Sequence, residues 1–189
     1  MNDMSTKIVA ETASRPARFT ANEFEQILRA GLDLDIKLEL AQGELERMSP
    51  PSNEHSAGQT LVTYHLMSLL GVVSVRLLRI ELALRLDADT VRVPDLTLLR
   101  TPTDLTGTLP GELAELVIEI AEKSLAKDLG PKLREYAAAG IPGYWVVDGS
   151  AKVTHVYTDP REGAYLNHVV VRFGEPLAVP GMDAAITLG

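Results

Sequence analysis

The sequence predicts a mixed α/β domain in which a β-sheet is flanked by helices. Three observations point there. Residues 37–48 alternate apolar and polar side chains on both sides of Gln42-Gly43, the pattern of a hairpin. Residues 53–70 carry apolar side chains at helical spacing behind a Ser-Pro-Pro-Ser break. Residues 116–121 and 144–147 form short, nearly unbroken apolar runs typical of buried strands. A chain of 189 residues suits one domain. We place it at 18–189, behind a polar arm over 1–17.

The elements follow in order. Thr20-Ala21-Asn22-Glu23 has the spacing of a capping box, and Phe24, Ile27 and Leu28 give the helix behind it an apolar face. Gly31 is placed to end that helix. The hairpin comes next. Ser52 or Asn53 caps a longer helix, with Leu61, Tyr64, His65, Leu66 and Leu69 on one face and Gly71 as its stop. Residues 73–86 read as extended strand, as do 91–99 apart from Pro94. Residues 101–112 read as a loop, and Leu116–Ala121 as a central strand holding one acid, Glu119. A helix is expected over 128–139, with Pro131 tolerable only in its first turn and Gly140 as its end. Two or three more strands fit in 152–188, turning at Asp159-Pro160 and Pro180-Gly181. Strands segregated in this way form neither a barrel nor a regular doubly wound sheet.

Composition removes several classes of function. Hydrophobic residues at 46% and charged residues at 23% are ordinary globular usage, which excludes a disordered chain. The absence of cysteine excludes a disulfide framework, a cysteine zinc site and a cysteine nucleophile together. With 26 acids against 18 lysines and arginines the net charge is −8, unlike a general nucleic-acid coat protein. A nucleic-acid role would need a local positive groove or a metal ion. Residues 1–19 lack the apolar core of a signal peptide, and the apolar runs fall short of the ~20 residues of a spanning helix. The expectation is a cytoplasmic protein without a membrane segment.

Two carboxylates stand out because their sequence neighbours are apolar. Asp95 follows Pro94, and Glu119 lies between Ile118 and Ile120. A carboxylate in such a run costs several kcal/mol of desolvation unless it is paired or bound to a cation. On adjacent strands the two could hold one magnesium ion, with the Ile120 carbonyl completing the site. The plain alternative is an acid at a strand end, turned to solvent and paired with an arginine. Lys132 and Tyr136 share a helix face, being four residues apart. Such a lysine can orient a metal-bound water, and it can equally be a surface lysine. Glu39 alternates with Leu38 and Leu40 and is expected on the exposed strand face. His55 is a ligand, a phosphate contact or a solvated first-turn residue. No phosphate-binding glycine loop, dinucleotide fingerprint or Gly-x-Ser-x-Gly elbow occurs, and none of the four histidines has HExxH spacing.

Taken in order, these pieces resemble the Uma-two family, restriction endonucleases with a PD-(D/E)XK nuclease-like core. The resemblance runs over about residues 18–158. It is carried by Arg18-Phe19-Thr20, Leu38-Glu39-Leu40 with Gly43-Glu44, Met48-Ser49-Pro50-Pro51-Ser52 with His55, and Val93-Pro94-Asp95-Leu96. It continues through Leu116–Ala121, Ser124-Leu125, Asp128 with Lys132 and Tyr136, Ala139-Gly140-Ile141-Pro142 and Tyr144–Asp148. It implies a restriction-endonuclease-like core and a magnesium-dependent DNA endonuclease, manganese being the alternative ion. It implies Asp95 and Glu119 as metal carboxylates, Glu39 as an additional acid, and Lys132 as the catalytic lysine. The parent pattern has its lysine two residues beyond the acid, where this chain has Ala121. His55 and Tyr136 are expected beside the site.

Residues 72–100 hold five arginines against four acids, so a DNA groove is expected near Arg76, Arg79, Arg85 and Arg92. The alternative for these arginines is a solvated sheet face. The rival reading of the whole is a catalytically silent nuclease-fold protein that binds nucleic acid or a protein partner. A homodimer is expected, because duplex cleavage needs two cuts. In a purely structural reading its interface would be the strand around Trp145.

Overall fold

The computed structural model describes residues 17–30 and 37–189. The arm expected over 1–17, Ala17 apart, and the helix stop expected at Gly31 lie outside the described residues.

The capping box forms as its spacing requires. Thr20 Oγ1 accepts the Glu23 N–H at 3.3 Å, and the Glu23 carboxylate accepts the Thr20 N–H at 2.8 Å, opening helix α1 (Ala21–Arg29). Strands β1 (Leu38–Ala41) and β2 (Glu44–Arg47) pair antiparallel. Their turn holds Gln42 at φ 48° and Gly43 at φ 83°, the left-handed pair that matches strand twist in a tight hairpin. Helix α2 (Asn53–Leu70) starts where Ser52 Oγ accepts the His55 N–H at 3.1 Å, and Gly71 ends it at φ 59°.

The chain beyond Gly71 corrects one expectation. Residues 73–86 are not one strand. A 3₁₀ turn (Gly71–Val73) leads into helix α3 (Ser74–Leu77), then strand β3 (Leu78–Ile80) and strand β4 (Leu84–Arg85). Only Ser74 is buried in the helical part, while Val72, Val73 and Val75 face solvent, so the alternating burial of a strand is absent there. The outer face of α2 differs too. Val62 and Leu66 are buried, whereas Tyr64 is 65% exposed. The run Asn53–Leu77 is also long and apolar enough, by length and composition, to cross a membrane, which the sequence reading did not expect. Here it packs through Val62 and Leu66 on a sheet.

The remaining strands are β5 (Val91–Arg92), β6 (Leu96–Leu99), β7 (Leu109–Pro110), β8 (Ala114–Ala121), β9 (Gly143–Asp148), β10 (Val153–Arg161), β11 (Ala164–Arg172), β12 (Pro176–Ala178) and β13 (Ala185–Thr187). The last 40 residues thus hold more strand than expected, and Asp159-Pro160 lies inside β10 rather than at a turn. The main sheet has six strands in the order β11-β10-β9-β8-β6-β3, and a smaller one has five in the order β2-β1-β5-β4-β7. β8 and β9 run parallel, so a crossover must join them. It consists of helix α4 (Leu125–Lys127), a π-helical turn (Asp128–Lys132) and helix α5 (Leu133–Ala138).

This crossover begins three residues earlier than the sequence suggests, which puts Pro131 in its interior. Proline lacks an N–H and its ring crowds the carbonyl four residues back. The widened π turn accommodates both demands. Gly140, at φ 69°, closes the segment in a Schellman arrangement, with Gly140 N–H on Ala137 O at 3.0 Å and Ile141 N–H on Tyr136 O at 3.2 Å.

Alternation along β8 sorts its side chains between two cores. Leu116, Ile118 and Ile120 pack with α2, Trp145 and the β12–β13 pair. Val117 and Ala121 pack on the α5 side with Tyr136 and Tyr144, and Glu119 shares that face by its parity. Trp145 is fully buried in the first core, which removes it as a dimer surface.

Candidate active site

Four elements bring the acids and the lysine together. Glu39 comes from β1, Asp95 from the entry to β6, Glu119 from β8 and Lys132 from the end of the π turn. They line one open cleft of about 530 Å³, which also takes in His55, Asp128 and the Ser49–Ser52 loop.

Asp95 is held from both sides. Its Oδ2 accepts the Ile120 N–H at 2.6 Å, and its Oδ1 lies 3.0 Å from His55 Nε2. Its backbone carbonyl accepts from Gln59 Nε2 at 3.1 Å. The hydrogen bond to Asp95 holds the His55 imidazole above its ordinary value, against the effect of burial. Gly58 lets α2 come this close, since a Cβ there would stand 2.8 Å from Ile120 Cγ2.

Glu119 is buried with a cation beside it. Its Oε1 accepts Lys132 Nζ and Tyr136 OH, each at 2.8 Å. Burial lifts its carboxyl above the usual range, Lys132 opposes this, and Asp95, Asp128 and Glu39 add to the lift. Lys132 Nζ also lies 3.4 Å from Glu39 Oε1 and 3.9 Å from Asp128 Oδ1. Burial alone would lower the Lys132 ammonium. The three carboxylates outweigh burial and hold it charged.

Glu39 corrects the expectation of an exposed acid. It is fully buried, because the face opposite the leucines is covered by Arg92, Lys127 and Lys132. Burial would raise it, but those charges and the Val93 N–H at 3.0 Å hold it below the usual carboxylate range. Lys132 is buried at 5% exposure, so it is not a surface lysine.

Arg92 corrects the expected DNA surface. It is 1% exposed. Its guanidinium spans Glu135 through Nε at 2.6 Å and Nη2 at 2.9 Å. Nη1 reaches Glu39 at 3.0 Å and Glu46 at 2.7 Å. Such a group is committed to carboxylates rather than phosphates. Arg85 bonds Asn22 and Arg79 bonds the carbonyls of Val75 and Leu78, and neither lines the cleft; nor does Arg76. Besides His55 and Lys132, the basic side chains at the cleft are Lys37, Arg47, Lys123 and Lys127. The sequence reading missed them, and it missed Glu46, Asp128 and Glu135 as partners. The one available signal was that Asp128, Lys132 and Glu135 fall at helical spacing on one segment.

The donors suit a hard cation. Oxygen ligands predominate, carboxylates crowd Glu119, and the buried Asp128 Oδ1 has no hydrogen-bond partner. Among the described residues no three His, Asp or Glu side chains already converge as a metal cage. A magnesium ion needs only one or two carboxylates and takes its other ligands from water and phosphate.

Comparison with known proteins follows the same line. Over residues 21–188 the sequence matches the model of Uma2, described as "Putative restriction endonuclease". No curated protein matches the chain. Among solved structures it is similar to "a putative nuclease belonging to DUF820" from Anabaena variabilis ATCC 29413. The two are 21% identical over 87% of this chain and 89% of that one, with a TM-score of 0.59. The likeness is one of fold, and it bears out the restriction-endonuclease-like core expected from the sequence.

Proposed function

The chain belongs to the Uma2 family of restriction-endonuclease-like proteins, and from that premise we propose that it is a magnesium-dependent DNA endonuclease. One observation carries the reading: Asp95, Glu119, Glu39 and Lys132, far apart in sequence, meet in one cleft. Asp95, Glu119 and the Ile120 carbonyl would hold magnesium, or manganese in its place. The ion would supply charge neutralisation at the scissile phosphate and a water of lowered pKa. Lys132, its amine fixed by Glu119 and Glu39, would orient an attacking water and donate toward developing negative charge. Tyr136 fixes the Glu119 carboxylate. Arg47 and Lys123, both exposed at the rim, are the DNA contacts this geometry favours.

The test is nicking and linearisation of plasmid DNA with magnesium, lost in Asp95→Asn, Glu119→Gln and Lys132→Ala. Folded protein that never cleaves, under any divalent ion, would favour the rival reading of a silent nuclease-fold binder. Among the described residues no three-ligand cage is preformed, and that observation stands behind the rival.

We also infer a homodimer, seated on a different surface from the one expected. Val72 is 89%, Val75 72%, Tyr64 65% and Ile80 53% exposed, and β3 is an edge strand of the main sheet. A second copy pairing there would supply the second cut of a duplex. Light scattering at micromolar protein should give twice the chain mass, falling to one in a Val72→Asp/Val75→Asp variant.

A further inference from the structure

A pair of histidines lies outside the cleft, on the neighbouring strands β10 and β11. The register sets Tyr157 opposite His168 and His155 opposite Val170, so the two histidines are diagonal neighbours on one face. His155 Nδ1 and His168 Nε2 stand 3.2 Å apart. The rings are 18° from parallel with centres 5.4 Å apart. His168 is further fixed by stacking on Tyr157, with 4.3 Å between centres and 6° between planes. His168 is exposed and His155 half-buried, so water reaches the pair.

We propose that His155 and His168 form a two-histidine site for a divalent transition metal such as zinc, separate from the cleft. The distance is the first support. Zinc–imidazole bonds of about 2.0–2.1 Å at a tetrahedral angle separate the two nitrogens by about 3.3 Å. With each nitrogen about 1.2 Å from its ring centre, the two centres then fall about 5.2 Å apart. Both values lie close to those of this pair, so a small tilt of the rings admits the ion.

The chemistry is the second support. Metal ligation requires neutral imidazoles. Imidazole selects zinc, nickel or copper, whereas magnesium selects the oxygen donors of the cleft. The two remaining tetrahedral positions are open to water or to a donor from another molecule.

Calorimetric titration of the full chain with zinc chloride, in excess magnesium to occupy oxygen sites, tests this. One equivalent of zinc should bind to wild type. His155→Gln and His168→Gln should each weaken it at least tenfold, with unchanged circular dichroism, and Asp95→Asn should leave it intact. No binding in wild type up to millimolar zinc would overturn the proposal. So would an unchanged isotherm in either histidine variant, which would place the zinc elsewhere. Failure of the nuclease reading would show only in the plasmid assay and would leave this result standing.

Discussion

The Asp95 carboxylate accepts the backbone N–H of Ile120 at 2.6 Å, which ties the entry of β6 to the C-terminal end of β8. The same bond orients the residue whose carbonyl is proposed as a metal ligand. Asparagine at 95 has one acceptor oxygen for two claimants, the Ile120 N–H and His55. Asp95→Asn should therefore cost about 1–3 kcal/mol of stability in urea titration. Magnesium-dependent cleavage should fall on the order of a hundredfold or more, read as initial nicking rate.

Arg92 has a structural role that follows from its three carboxylate partners. Arg92→Met leaves Glu39, Glu46 and Glu135 beside one another without their shared cation. The expected loss is about 3–5 kcal/mol. Arg92→Lys should restore little, because a lysine cannot span Glu135 with two parallel bonds. Arg79→Ala, at a half-exposed position, should change denaturation by no more than about 0.5 kcal/mol. Chemical denaturation of the three variants side by side checks the ranking.

The pH dependence of stability has two arms of opposite sign. Glu39 and Glu46 lie below the ordinary carboxylate range when folded. Their contribution is present above the unfolded value and is lost as pH falls through the folded one. Glu119 is raised, so its contribution is full below the unfolded value and is lost as pH rises through the folded one. Glu119→Gln removes that second arm. Its stability relative to wild type should climb steadily from pH 5 to pH 8, whatever constant offset comes from depriving Lys132 of a partner. A flat difference across those pH values would contradict the raised carboxyl.

Gly58 and Gly130 should respond in opposite ways to alanine. A Cβ at Gly58 meets Ile120 Cγ2 at 2.8 Å, so the usual helical gain is overtaken by overpacking of about 1–3 kcal/mol. It should also lower cleavage, since Ile120 moves with the Asp95 bond. A Cβ at Gly130 meets nothing within 4 Å, and Gly130→Ala should gain about 0.4–1 kcal/mol. Thermal melts and nicking rates of the pair separate the two effects.

Local signals were readable in the sequence where one segment suffices. The Thr20–Glu23 box, the Gln42-Gly43 turn, the Ser52 cap and the Gly140 stop all form as their residues dictate. The acids at 95 and 119 and the lysine at 132, which stand out in the sequence by their apolar neighbours and helical spacing, line one cleft. What failed depended on partners far along the chain. Glu39 read as exposed because its cover comes from Arg92, Lys127 and Lys132. Arg92 read as a DNA contact because nothing in its own segment announces Glu39, Glu46 and Glu135. The run 73–86 read as strand because β-branched residues mixed with arginine fit a strand as readily as an exposed helix turn.

Residues 91–99 begin in the five-stranded sheet as β5 and end in the six-stranded sheet as β6, with Asp95 at the passage between them. Glu39, the anchor of Lys132, belongs to the smaller sheet, and Glu119 to the larger. Separation of the sheets would therefore dismantle the cleft while β8, β9 and β10 stayed paired. Heat inactivation would then precede the main melting transition, and activity would return on cooling without a refolding lag. The robustness of the large sheet would not protect the chemistry, whose working limit is set by the weaker of the two partners that the passage joins.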